Sequence, residues 1–193
     1  PPGLDDAVIQ YAKNFGMFPL LVILMCAGSV SGDFNGGVAP MILSKPVTAR
    51  EYVGAKVYSM LSLLAAGLVM SGMLFLFYSA VLFEERIHIP TFLVVLAGYG
   101  SLLYLFVSFT VLASAYFKGY GAAAGAGIGL YFLLIALGQF DIFAFYLPPG
   151  LLSLTEMVKK PGFYSFFPIA TTIGLSLLFC YLAAAEVRRR VSR

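Results

Sequence analysis

Long apolar runs alternate with short polar connections along this chain, and five of the runs, at about 15–31, 57–83, 91–117, 120–139 and 164–187, approach or exceed the ~20 residues that cross a bilayer. Each predicts a membrane-spanning helix. At 1.5 Å rise, the second and third are about 40 Å long, more than the ~30 Å hydrocarbon layer, so they tilt or protrude. Ahead of the first run, Leu4, Val8, Tyr11 and Phe15 recur at helical spacing, while Asp5, Asp6, Gln10, Lys13 and Asn14 fill the other positions. That pattern predicts an amphipathic lead-in helix continuing into the first span, with a kink at Pro19. The stretch at 140–163 mixes aromatics, Pro148-Pro149-Gly150, charges and Pro161, and predicts short interfacial or re-entrant pieces, allowed only where protein or water satisfies the backbone.

The polar connection at 33–56 has the richest internal pattern. Val38-Ala39-Pro40-Met41-Ile42-Leu43 is too short to cross a bilayer, so it lies on the surface or in a partner's groove. With Gly37 as its cap, Pro40 falls in the first helical turn, where its missing N–H is tolerated. Lys45-Pro46 ends the short helix, because a residue before proline is pushed out of the α region. Thr48-Ala49-Arg50-Glu51 then has the S/T-x-x-E spacing of a capping box, which starts a new helix near Ala49. Met41, Ile42 and Leu43, rimmed by Lys45 and Arg50, offer an apolar anchor for a partner. The alternative is an amphipathic loop resting on anionic headgroups.

Composition agrees with the pattern. With 61% hydrophobic and 11% charged residues and a mean hydropathy of +0.93, the chain is an all-α integral membrane protein with a single transmembrane domain over 1–193. Its net charge of +3 is confined to a few connections, which argues against a nucleic-acid partner. Basic residues set the orientation: with the 33–56 island inside, Lys45, Arg50, Lys56, Lys118, Arg188, Arg189, Arg190 and Arg193 are cytoplasmic, against Lys13, Arg86, Lys159 and Lys160 outside. The C-terminus is then cytoplasmic and residue 1 external. No signal peptide accounts for its translocation, so a further membrane helix is expected upstream of Pro1.

The residues Gly37, Ile42-Leu43-Ser44-Lys45-Pro46-Val47-Thr48, Arg50-Glu51 and Lys56 resemble the signature of the permease subunits of ATP-binding-cassette type-two exporters. In that family, the cytoplasmic link between the second and third spans carries an acidic residue, a Gly-Thr pair, leucines, a Ser-Arg-Pro-Val-Ser-Arg block, a Glu and a Gly-Lys. Asp33 matches the acidic position. Val38, Pro40, Ala49 and Ala55 depart from the pattern. The resemblance covers essentially the whole chain and implies that its five helices are spans two to six of a six-span permease. It further implies a cytoplasmic coupling helix at about 38–44 that docks on an ATPase subunit, and pairing with a second permease copy or homologue. ATP and Mg would belong to the ATPase partner. This chain holds no G-x-x-x-x-G-K-[ST] loop, so it is expected to bind no cofactor and not to be an enzyme by itself. The other readings are a non-transporting membrane anchor and a secondary transporter. The latter is disfavoured because the spans hold no close group of ionisable residues.

Gly121, Gly125 and Gly129 form two G-x-x-x-G steps, read first as a packing face within the chain and second as a seam between permeases. Asp33 and Asp141 fall at span ends and read as boundary or capping residues. His88 has no second ligand near it, and Glu84 and Glu85 read as a solvated turn. Cys26 and Cys180 lie within spans and suggest neither a disulfide nor a metal site. Ser62, Ser71, Tyr78, Tyr104, Ser108, Thr110, Thr171 and Thr172 are the residues that would line a path for an amphipathic cargo, if they converge.

Overall fold

The computed structural model describes residues 11, 13, 14, 16–82, 89–140, 143, 146–152 and 163–191. Among these the chain is helical, without strands: α1 (Phe18–Cys26), α2 (Ser31–Asn35), α3 (Val38–Leu43), α4 (Ala49–Leu82), α5 (Ile89–Tyr116), α6 (Tyr120–Leu137), a 3₁₀ turn (Pro148–Leu151) and α7 (Phe163–Val191). Five segments are long and apolar enough to cross a membrane, with α1 and α2 together making the first. This is an all-α bundle of an integral membrane protein.

The hub is α5. It carries no charged residue, so it can be enclosed on every side, and 61% of its most apolar part is buried, against 6% for α4. Leu102, Leu103, Leu105, Phe106, Val107 and Val111 are almost wholly enclosed, with α1, α4, α6 and α7 packed around the helix. Because lipid tails are as apolar as leucine, van der Waals fit rather than water exclusion holds such helices together. Gly127 on α6 illustrates the fit: a Cβ there would lie 2.5 Å from Ile23 Cγ2 on α1.

Several expectations need correction. The lead-in helix does not run on into the first span, since Gly16 N–H bonds back to Lys13 O (3.0 Å) and a turn at Gly16–Met17 separates them. Pro19 therefore sits in the first turn of α1, where its lost donor is an orphan anyway, and it does not kink the span. The interruption comes later, at Ala27–Val30 between α1 and α2. Gly121, Gly125 and Gly129 have open space where a Cβ would stand, so they do not pack within the chain. The face of α6 that does is Ala123, Ala124, Gly127, Tyr131 and Leu134. α7 extends past the expected end at 187, with Arg188–Arg190 in its last turn, where positive charge suits the helix dipole. In the broken stretch, the Pro148–Leu151 turn is buried, against α5, α6 and α7. Asp141, Glu84, Glu85, His88 and most of the lead-in helix, including Leu4, Val8 and Phe15, lie outside the described residues.

Candidate functional site

The 33–56 island is built in three steps. Gly37 takes a left-handed conformation (φ 72°), open to glycine at little cost, and reverses the chain from α2 into α3. α3 is amphipathic over fewer than two turns: Ala39 is fully buried and Ile42 and Leu43 pack against the core, whereas Val38 and Met41 are exposed, Met41 to 65%. Ser44 ends it, its hydroxyl donating to Met41 O (2.8 Å), and Lys45 and Pro46 are exposed on the way out. Val47 returns to the core, and its N–H reaches Lys45 O (2.6 Å) across Pro46.

The capping box forms as its spacing requires. Thr48 N–H and Oγ1–H donate to Glu51 Oε2 (2.7 and 2.8 Å), and Glu51 N–H donates to Thr48 Oγ1 (3.2 Å). The sequence does not reveal how the two ends of the island are joined. Asp33 Oδ2 on α2 accepts from Tyr52 Oη (2.7 Å) and pairs with Lys56 Nζ (2.7 Å), both on α4. Lys56 in turn lies over the Tyr52 ring, 5.9 Å from its centroid. Asp33 is thus a clamp between helices rather than a cap. Lys56 is one of the residues that carry the resemblance.

Two further ties attach the island to the bundle. Ser114 Oγ on α5 accepts from the N–H groups of Val30 (3.1 Å) and Ser31 (3.0 Å) at the α1–α2 break, and donates to Ser31 Oγ (3.2 Å). Asn35 Nδ2 donates to Lys118 O (2.9 Å), while Arg190 donates to Tyr116 O (2.6 Å) and lies 5.5 Å from the Phe34 ring centroid. The island, the Lys118 turn and the end of α7 therefore share one end of the bundle, the grouping that the basic residues predict.

The anchor needs revision. Met41 projects outward as expected, but Ile42 and Leu43 turn inward, because positions 39, 42 and 43 share the core-facing side of this short helix. Val38 takes their place beside Met41 on the outer face. The polar residues proposed to line a path do not converge. Ser62 and Tyr78 are exposed, Ser71 faces Tyr11, and Ser108 Oγ accepts from Cys180 Sγ (3.5 Å) on α7, which Tyr104 Oη meets at 3.8 Å. Ser108 and Thr172 donate their hydroxyls to their own helices, at Tyr104 O and Pro168 O. Thr171 does the same and also bonds Tyr146 O (2.9 Å), while Thr110 is buried among α1 and α6. A back-bonded serine or threonine behaves as a small packing residue. Tyr104 borders a slot of about 360 Å³ between α4, α5 and α7.

No protein-family model matches the chain. It is 32% identical over 187 residues to a protein of Bacillus subtilis (strain 168) named as the uncharacterized transmembrane protein YxlG, an alignment taking in 94% of this chain and 69% of the relative. The chain belongs to the YxlG family of transmembrane proteins. Membership and the five apolar helices agree on a multi-pass membrane protein, and the shared length includes the island together with the helices it joins.

Proposed function

We propose that this chain is the permease subunit of an ATP-driven exporter and that α3 is its coupling helix. A separate cytoplasmic ATPase, holding ATP and Mg, would dock on α3 and supply the energy, and a second permease copy or homologue would complete the pathway. Cargo would leave the cytoplasm by alternating access, a rigid-body exchange between two packed arrangements of the helices. The protein would sit in the cell membrane with the island and the C-terminus inside, as its basic residues favour.

The observation that carries this reading is the construction of α3. Val38 and Met41 stand clear on its outer face, while its inner face is seated on the core and its flanks are tied to α4 through Asp33–Lys56 and Asp33–Tyr52. A push on Met41 is therefore delivered to α4, a 34-residue helix, and not absorbed by a loose loop. Exposed apolar side chains beside Lys45 have the core-and-rim character of a protein interface.

Met41→Asp tests it, because Met41 touches solvent and its replacement leaves the buried face intact. The variant is expected to reach the membrane at normal levels but to lose at least tenfold in co-purification with its ATPase subunit, since a charge in an interface core costs about 2 kcal/mol or more, which is roughly thirtyfold in affinity. Unchanged assembly and unchanged cargo export would overturn the reading.

A further inference from the structure

We infer that the seam between α4 and α7 is a binding site for one anionic membrane lipid, its phosphate at Arg50 and Arg188 and a tail reaching the apolar slot beside Leu61 and Leu68. The inference does not depend on an ATPase partner.

At the basic end, the start of α4 and the end of α7 leave a cleft of about 760 Å³ walled by Thr48, Arg50, Tyr181, Ala185 and Arg188. Arg50 and Arg188 thus line one cleft. Arg50 lies over the Tyr181 ring, 5.5 Å from its centroid, which fixes its direction without neutralising it. The ion pairs among the described residues are Lys56–Asp33 and Arg189–Glu186, and neither involves Arg50 or Arg188. Of the carboxylates closest in sequence, Glu51 is occupied by Thr48 and Glu186 by Arg189. The cleft therefore offers two positive charges to an anion, and planar guanidinium groups suit phosphate oxygens.

The same seam continues into the bundle. On α4, Arg50, Gly54, Leu61, Ala65 and Leu68 follow one another at multiples of the helical repeat, and Gly54 has open space at its Cβ position. On α7, Arg188, Tyr181, Leu177, Ile173 and Ile169 do likewise, Leu177 and Tyr181 being 57% exposed. The two rows end at the 360 Å³ slot, lined by Leu61, Leu68, Ile169 and Ile173 and closed beneath by Gly100 and Leu103 of α5. From Arg50 to Leu61, the near edge of the slot, is 11 residues, about 16 Å along α4, and from Arg188 to Ile173 is 15 residues, about 22 Å along α7. With the arginines at headgroup level, the slot opens at about the middle of the ~30 Å hydrocarbon layer. A long tail reaches it there with its terminal carbons. Charge at one end and an apolar cavity one leaflet deeper match an amphiphile with an anionic head and a long chain. They do not match a peptide, whose backbone would go unpaired in the slot.

The whole protein, purified in a neutral detergent and delipidated, is titrated with palmitoyl-oleoyl phosphatidylglycerol, the matching phosphatidylcholine, short-chain dihexanoyl phosphatidylglycerol and inorganic phosphate, with bound lipid counted by native mass spectrometry. Long-chain phosphatidylglycerol is expected to bind in one copy, about tenfold or more tighter than the phosphatidylcholine. The double variant R50Q/R188Q should erase that preference. Ala65→Phe, which fills the slot from an exposed position, should weaken the long-chain lipid while leaving the short-chain one unchanged. Thermal unfolding of each variant without lipid checks that the fold persists. Equal binding of the two headgroups, an effect reproduced by inorganic phosphate alone, or a preference that survives R50Q/R188Q would overturn the proposal. So would a seam that gains protection only when an ATPase partner is present, because the cleft would then belong to that interface.

Discussion

Where α1 meets α6, the absence of one side chain sets the distance. A methyl group on Gly127 would stand 2.5 Å from Ile23 Cγ2, and Ile23 is itself fully enclosed, so neither has room to retreat. Gly127→Ala is expected to lower stability by about 1–3 kcal/mol, read as a fall in the thermal midpoint in detergent. Alanine at Gly121, Gly125 or Gly129 should leave that midpoint unchanged or slightly higher, because each position is open and alanine is the better helix former. Asp33 is the other decisive residue. Its pair with Lys56 is partly solvated, at 31% and 21% side-chain exposure for lysine and aspartate, so screening limits its worth. Asp33→Asn should cost about 1 kcal/mol, and a double-mutant cycle with Lys56→Gln should return most of that as coupling. Additive losses would mean that the two helices are held by something else.

The first span matters as an element because it is two helices rather than one. Val30 and Ser31 point their N–H groups at Ser114 of α5, 83 or more residues away, where an unbroken helix would satisfy them internally. Ser114→Ala leaves both donors buried without an acceptor and is expected to cost about 1–3 kcal/mol in unfolding measurements. Ser176→Ala, equally buried but bonded to its own helix at Thr172 O, should cost well under 1 kcal/mol. This contrast also marks what could be read from the chain alone. The capping box, the Gly37 turn and the Lys45-Pro46 stop rest on local chemistry within a few residues, and they were legible. The break at Ala27–Val30, the burial of Ile42 and Leu43, the clamp at Asp33 and the orientation of the α6 glycines depend on partners in other helices. In a chain apolar on nearly every face, periodicity does not distinguish the side that meets protein from the side that meets lipid.

At the scale of the whole molecule, the ties among Asn35, Lys118, Arg190 and Phe34 put three separate connections at one end. Tyr11 marks the other: its ring lies 4.4 Å from Phe75 and 5.7 Å from Phe92, and its hydroxyl 3.0 Å from Ser71. Phe75 is 26 residues beyond Ala49, about 39 Å along α4 and more than the thickness of the hydrocarbon layer. Charge counting gave this grouping from the sequence because lysine and arginine are costly to translocate wherever the helices pack, so the grouping was readable even where contacts were not. Single cysteines at Lys45, Lys118, Val191 and Asn14, in a background with Cys26 and Cys180 replaced by alanine, test it directly in intact cells with a membrane-impermeant maleimide. The first three are expected to react together and only after lysis, and Asn14 to react without it. Reaction of Lys45 without lysis, on the same side as Asn14, would require an even number of crossings between them, and the first span, and with it any cytoplasmic docking of α3, would have to be abandoned.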